Sequence, residues 1–317
     1  MIKEPLFLGP VFKERLWGGK KLKTYFNYDI PSNKTGECWA VSAHPSGESI
    51  ILNSKLKGKS LKTVWEDYPQ VFGYPRQKKF PLLIKILDAN KDLSVQVHPD
   101  DRYAKANEVD GLGKTECWYI VDCDEDAEIV LGHKAKTHDE LKKLVYNKKF
   151  ESLLTKKKIR PGDFIYIPSG TIHGLCKNTV VLEVQQSSDT TYRLYDYNRK
   201  DELGNTRELH LKQAIDVIAT PHDEPKNKPT VEKRDGVLKT KFIDNSFFTV
   251  QKWNIEDAGS FDKSQPFMIC SVLKGDGKLV IDEKEYSIAK SSHFILPCMV
   301  EKFSIHGENL EIFVSYI

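Results

Sequence analysis

Three short segments of this 317-residue chain carry side chains that bind divalent cations or move protons. The first runs from Ser94 to Asp101. Strand alternation sets Ser94, Gln96 and His98 on one face and Val95 and Val97 on the other, and Pro99 ends the strand. In the second, Lys114, Glu116 and Trp118 share a face, and the apolar run Trp118 to Val121 predicts a buried strand. A carboxylate entering such a strand needs a cation or a donor, or its pKa rises. The third begins at Gly162, forms a strand over Phe164 to Ile167, breaks at Pro168 and Gly170, and presents His173. Taken singly, each has an ordinary explanation: a solvated polar strand face, a surface Lys/Glu pair, a satisfied core histidine.

The interval of the third segment changes the balance. Gly162, five residues, Pro168, one residue, Gly170, two residues and His173 is similar to the second cupin motif, although the asparagine of that motif falls one position late, at Asn178. Gln96, His98, Glu116 and His173 would then form a donor set of two neutral imidazoles, a carboxylate and an amide oxygen, which suits one Zn²⁺ per chain with room for water or substrate. The first cupin motif is altered: Gln96 replaces its first histidine and Glu116 lies much farther along. A fourth segment, Glu183 to Asp196, is dense in hydrogen-bonding groups. There Arg193 alternates with Tyr192 and Leu194, so it points inward if they pack elsewhere, where a guanidinium binds phosphate or a developing oxyanion.

These side chains must be held by strands. Short runs rich in Val, Ile, Phe and Tyr, such as Phe80 to Leu87, Glu128 to Leu131 and Val180 to Val184, predict a mainly β protein. Helices are expected over Asp100 to Glu108, over His138 to Leu154 with Thr137 as cap and Glu140 completing a capping box, and over Glu208 to Ile218. The proline-rich, charged stretch after Thr220 predicts a linker, dividing the chain into a larger domain over residues 1–220, a linker at 221–236 and a smaller domain at 237–317. A weak internal repeat matches Pro161–Pro168 to Lys290–Pro297 and sets Lys302 opposite His173, so the second copy lacks that ligand.

Composition narrows the function. Lys+Arg 48 against Asp+Glu 45 leaves a formal charge of +3, with no electrostatic footprint for nucleic acid. No apolar stretch reaches the length needed to span a bilayer, and the N-terminus lacks the core of a signal peptide, so a cytoplasmic protein is expected. The six cysteines form no CxxC pair and are expected as free thiols, mostly buried in strands.

Together with Trp17-Gly18-Gly19, Gly36-Glu37-Cys38-Trp39 and Pro81-Leu82-Leu83-Ile84-Lys85, the four segments resemble the type I phosphomannose isomerases, particularly their shorter bacterial class, over most of residues 10–200. The resemblance implies two cupin-like β-barrels (jelly-roll sandwiches) with a few helices inserted in and after the first. It implies metal ligands at His98, Glu116 and His173 with Gln96 as the fourth, an active-site arginine at Arg193, and interconversion of mannose 6-phosphate and fructose 6-phosphate through a cis-enediol. Lys85, Ser94 and Lys114 are then expected at the substrate, although Lys85 could instead pair with an acid such as Asp88. Glu48, His44, Lys114 and Asp196 are the candidate bases, with a metal-bound hydroxide as another option. No nucleic acid or membrane partner is expected, and a monomer is compatible with every motif. The competing readings are a metal-dependent dioxygenase, which would hold iron, and a non-catalytic sugar-binding cupin.

Overall fold

The computed structural model describes residues 2–109, 111–201 and 203–317. Four antiparallel sheets are stacked, and strand alternation decides which side chains enter which layer. In the central strand Leu82–Ala89, Leu82, Ile84 and Ile86 face the C-terminal half, while Leu87 and Ala89 face the interior of the N-terminal sandwich. Val180, Leu182 and Val184 of Thr179–Gln186 face the same way as Ile84, and Val181 faces inward. One core therefore joins the two halves, and each half has a core of its own.

The six-stranded sheet has the order Phe164–Ile167, Glu116–Cys123, Thr179–Gln186, Leu82–Ala89, Thr35–Val41, Val11–Gly19. Facing it is a five-stranded sheet of Tyr192–Tyr195, Val95–Val97, His173–Leu175, Glu128–His133 and Leu154–Lys158. The C-terminal half repeats this plan. His293–Leu296, Met268–Lys274, Leu310–Tyr316, Thr249–Ile255, Val237–Asp244 and Thr230–Arg234 recur in the order of the six-stranded sheet, and Ala258–Asp262, Lys302–His306, Asp276–Ile281 and Lys284–Ala289 in the order of the last four strands of the other. The correspondence also follows chain order. The mainly β, two-sandwich architecture expected from sequence is the observed one, and the match of Pro168 with Pro297 extends to whole sheets.

Several boundaries differ from the sequence reading. The helix expected over 138–154 is two helices, His138–Tyr146 and Phe150–Leu153, separated at Lys148, whose φ of 55° leaves the helical region. Thr137 caps the first as expected, accepting from the Glu140 amide. The other two helices are shorter than expected, Asp101–Asn107 and Leu211–Val217. The stretch expected as a linker over 221–236 contains the strand Thr230–Arg234, whose residues are all exposed; an edge strand of this kind has no buried face to show as an apolar pattern. It pairs with Val237–Asp244 across the Asp235-Gly236 turn, both residues left-handed. The first strand, Leu6–Gly9, pairs with His293–Leu296 at the edge of the C-terminal sheet, so the chain crosses between halves at its start.

At this seam lies a buried polar chain. Tyr28 Oη is 2.5 Å from His293 Nε2, and His293 Nδ1 is 2.9 Å from Ser271 Oγ. Burial pushes the His293 imidazole down to about 3. Below about pH 6.5 the unfolded chain binds a proton here that the folded chain refuses, so this residue makes stability fall as pH drops from about 6.5 toward 3. His293→Gln is expected to flatten that dependence. Denaturant unfolding of both proteins from about pH 7 to about pH 4 checks this, and parallel curves would refute it.

Candidate metal centre

The interior of the N-terminal sandwich is polar at one end because alternation forces it to be. Val95 and Val97 are fully buried on the outer face of their sheet, in a cluster with Leu141, Val145, Ala214 and Ile215 of two helices. Burying each valine is worth about 1.5–3 kcal/mol. Because a one-residue slip would expose both, their anchoring fixes Gln96 and His98 inward. The face expected from sequence to hold Ser94, Gln96 and His98 is thus the face turned into the protein, where Ser94 and His98 are buried. Gly170 locks the turn that delivers His173. Its φ is +83°, its amide donates to the His98 carbonyl at 2.9 Å, and a Cβ there would come within 2.9 Å of the Val217 carbonyl oxygen. On a neighbouring segment the Lys114 amide donates to the Pro99 carbonyl at 3.0 Å.

These constraints bring His98, Glu116 and His173 together, all buried, with one donor atom from each within 4.8 Å of the others. Glu116 Oε1 lies 3.2 Å from His173 Nε2, and Oε2 lies 3.5 Å from His98 Nε2 and 3.1 Å from Lys114 Nζ. The far side of each imidazole is already engaged: His98 Nδ1 is 2.8 Å from the Thr190 carbonyl oxygen and His173 Nδ1 is 2.9 Å from that of Thr171. A carbonyl only accepts, so both Nδ1 atoms carry hydrogen and both rings turn Nε2 toward Glu116. His98 Nε2 and both Glu116 oxygens are buried without a hydrogen-bond partner among the described residues. Acceptors converging on one point, with the Lys114 ammonium beside only one of them, fit a further cation. The side-chain amide of Gln96, on the strand paired with that of His173, lies 3.3 Å from His173 Nε2 through Nε2; turning the amide over presents its oxygen there.

The electrostatics agree. Burial, then the Lys114 charge, hold the His98 imidazole well below its ordinary range, so it stays neutral. Burial opposes ionisation of Glu116, but the Lys114 charge beside it outweighs burial and holds the carboxyl well below the usual range. Burial also opposes the charge on Lys114, and Glu116 and Glu183 outweigh it, raising its pKa.

Beside this cluster opens a polar cavity of about 420 Å³. Gln96 and Lys114 form its border with the cluster, and Lys85, Ser94 and Arg193 also line it, so the expected site residues are gathered at one place. The alternative pairing of Lys85 with Asp88 is not what forms. Three positions apart on a strand, the two face opposite sides, and Asp88 accepts from the Lys21 amide at 2.6 Å. Lys85 Nζ instead lies 3.4 Å from Glu183 Oε1 and 5.1 Å from the ring centroid of Trp39. Of the four candidate bases only Lys114 borders this cavity. His44 lines a different one, Glu48 lies outside it, and Asp196 is held by Arg199 and Arg207.

Sequence reasoning did not single out Glu183, Glu37 or Arg207. Glu183 had a readable signal, a carboxylate inside the apolar run Val180 to Val184. It is buried, accepts from Trp118 Nε1 at 2.8 Å, and is shifted upward by burial and then by the Glu116 charge. Glu37 accepts from Arg15 and from Trp39 Nε1.

The profile of the phosphomannose isomerase type I catalytic domain matches residues 6–132, and that of the mannose-6-phosphate isomerase cupin domain matches residues 238–317. The mannose-6-phosphate isomerase ManA of Bacillus subtilis is 47% identical over 317 residues, covering 100% of both chains. The mannose-6-phosphate isomerase of Streptococcus mutans is 44% identical over 314 residues, covering 99% of this chain and 98% of the relative. A crystal structure of a B. subtilis mannose 6-phosphate isomerase superposes with a TM-score of 0.96, at 47% identity and 99% coverage of each chain.

The cluster predicts a measurable affinity. Equilibrium dialysis against Zn²⁺ is expected to give about one ion per chain, and His98→Ala or His173→Ala to lower the affinity at least about tenfold without unfolding the protein. Unchanged binding in both variants would refute the assignment.

Proposed function

The chain belongs to the type I phosphomannose isomerase family, and from that premise we propose that it interconverts mannose 6-phosphate and fructose 6-phosphate with one zinc ion held by His98, Glu116, His173 and Gln96. One observation carries the metal assignment: two imidazoles and a carboxylate, all buried, converge with one donor atom from each within 4.8 Å of the others, beside a polar cavity of about 420 Å³. Bound zinc would supply a Lewis acid for the sugar's reacting oxygens. The N/O donor set suits zinc, and the names of the relatives favour neither a dioxygenase nor a non-catalytic sugar-binding cupin.

The reaction moves a proton between C1 and C2 through a cis-enediol, with negative charge growing on O1 and O2. Lys114, kept cationic by Glu116 and Glu183, and Arg193 on the cavity wall both oppose that charge. The proton needs a carrier whose pKa lies nearer the working pH than that of an ordinary carboxylate. Glu183 meets this condition: it lines the cavity, burial raises its pKa, and Lys85 and Trp118 Nε1 orient it. Lys85 and Ser94 present donors to the sugar.

We assign the chemistry to the domain over residues 1–220. The smaller domain over 237–317 keeps the sandwich without the ligands. By strand register Met268 stands where Glu116 does, since Leu296 pairs with Met268 as Ile167 pairs with Glu116. All six cysteines are free thiols, three of them buried, which supports a cytoplasmic location.

A coupled assay of mannose 6-phosphate conversion tests the reading directly. The zinc-loaded protein is expected to turn over. Arg193→Ala and Glu183→Gln are expected to keep the metal and lower kcat by about 10²–10⁴-fold. No conversion by the metal-loaded wild type would end the isomerase reading, and a variant that loses zinc together with activity would make that residue structural.

A further inference from the structure

We infer that Arg207 selects phosphorylated sugars: its guanidinium, held by Asp196 and facing the same cavity as Arg193, receives the phosphate group of the substrate. The inference rests on the isomerase reading above and deepens it by giving the phosphate a residue that the sequence patterns did not indicate.

Two arginines hold Asp196. Its carboxylate accepts from Arg207 Nε at 2.8 Å and Nη2 at 2.6 Å, and also from Arg199 Nη2. Arg199 and Arg207 flank the Lys200–Thr206 bridge, which carries the chain out and back so that both reach the same acid. Their remaining donors differ. Arg199 Nη1 is engaged by the Asp92 carbonyl, and the side chain lines a separate cavity. Arg207 lines the catalytic cavity, and its Nη1 has no partner among the described residues. Arg193 lines the same cavity. Its Nη1 donates to the Glu208 carbonyl at 2.9 Å, and among the described residues its buried Nε and its Nη2 have no hydrogen-bond partner.

Arg15, the third arginine on the cavity wall, is not equivalent. Its Nε and Nη2 bind Glu37 and its Nη1 binds the Glu14 carbonyl, so all three nitrogens are used. Asp196 is in ion-pair contact with Arg199 and Arg207 together, and Arg193 makes no ion pair among the described residues, so positive charge is in excess at this wall. A phosphate monoester carries close to two negative charges at neutral pH and accepts from several donors at once. Free N–H groups of two adjacent guanidiniums match it, whereas a hydroxyl could satisfy only part of that charge. Lys85 suits the phosphate less well, because Glu183 already faces it at 3.4 Å with Asp189 at 3.9 Å.

The test separates binding from chemistry. In zinc-loaded Arg207→Ala, KM for mannose 6-phosphate is expected to rise about tenfold to a hundredfold while kcat stays within about threefold, and competitive inhibition by inorganic phosphate to weaken by a similar factor. An unchanged KM, or a fall in kcat alone, would overturn the inference. If Arg207→Ala fails to fold, Arg207→Lys keeps a charge but not the fork on Asp196, and a smaller rise in KM is expected; an unchanged KM again overturns it. A wild-type protein that does not isomerise mannose 6-phosphate would remove the isomerase reading itself. A competent wild type with an indifferent Arg207 removes only this proposal.

Discussion

Everything at the site depends on two imidazoles being held with their Nε2 atoms turned toward one buried carboxylate. The carbonyls of Thr171 and Thr190 achieve this by accepting from Nδ1. Were either hydrogen bond lost, the ring could turn its N–H toward Glu116 and the acceptor cluster would become an ordinary buried hydrogen bond. Lys114 reinforces the arrangement: its charge keeps Glu116 ionised and discourages protonation of His98. The chemistry proposed for the cavity needs this cluster to remain a set of acceptors in the absence of substrate.

The repeated strand order explains how such a cluster can be built in one half and be missing from the other. Both sandwiches bring the same strand ends together. In the N-terminal half those ends carry Glu116 and His173; at the matching places the C-terminal half has Met268 and Lys302. Its interior is instead filled by the stacked rings of Trp253, Phe261 and Phe303, with centroids 4.4 and 5.0 Å apart along the stack. Apolar contact does there what ion pairing and a cation are assigned in the first half. The second sandwich also backs the first, because Phe313 and Ile269 pack in the same core as Ile84 and Leu182, on the reverse side of the strands that carry Lys85 and Glu183.

Much of this was legible in the chain because alternation is local. Val95 and Val97 against Gln96 and His98 define two faces, and the Gly162, Pro168, Gly170, His173 interval encodes a strand, a turn and a presented ring. Which face turns inward was not legible, since a polar face in a sealed sandwich reads like one in water. Nor was the Lys85–Glu183 pair, which depends on two strands 98 positions apart becoming neighbours in register. The rule that a carboxylate in an apolar run needs a partner pointed to Glu116 and applied equally to Glu183. Thr230–Arg234 is exposed throughout and so has no pattern to read. Arg207 lies in a polar loop, and only the return of that loop to Asp196 gives it meaning.

The central claim is that His98 and His173 offer Nε2 to one cation shared with Glu116. X-ray absorption at the zinc edge of the zinc-loaded protein measures this most directly. The account predicts two imidazole nitrogens at about 2.0–2.1 Å with the remaining near neighbours oxygen. A spectrum with no imidazole scattering, or with sulfur in the coordination shell, would contradict it.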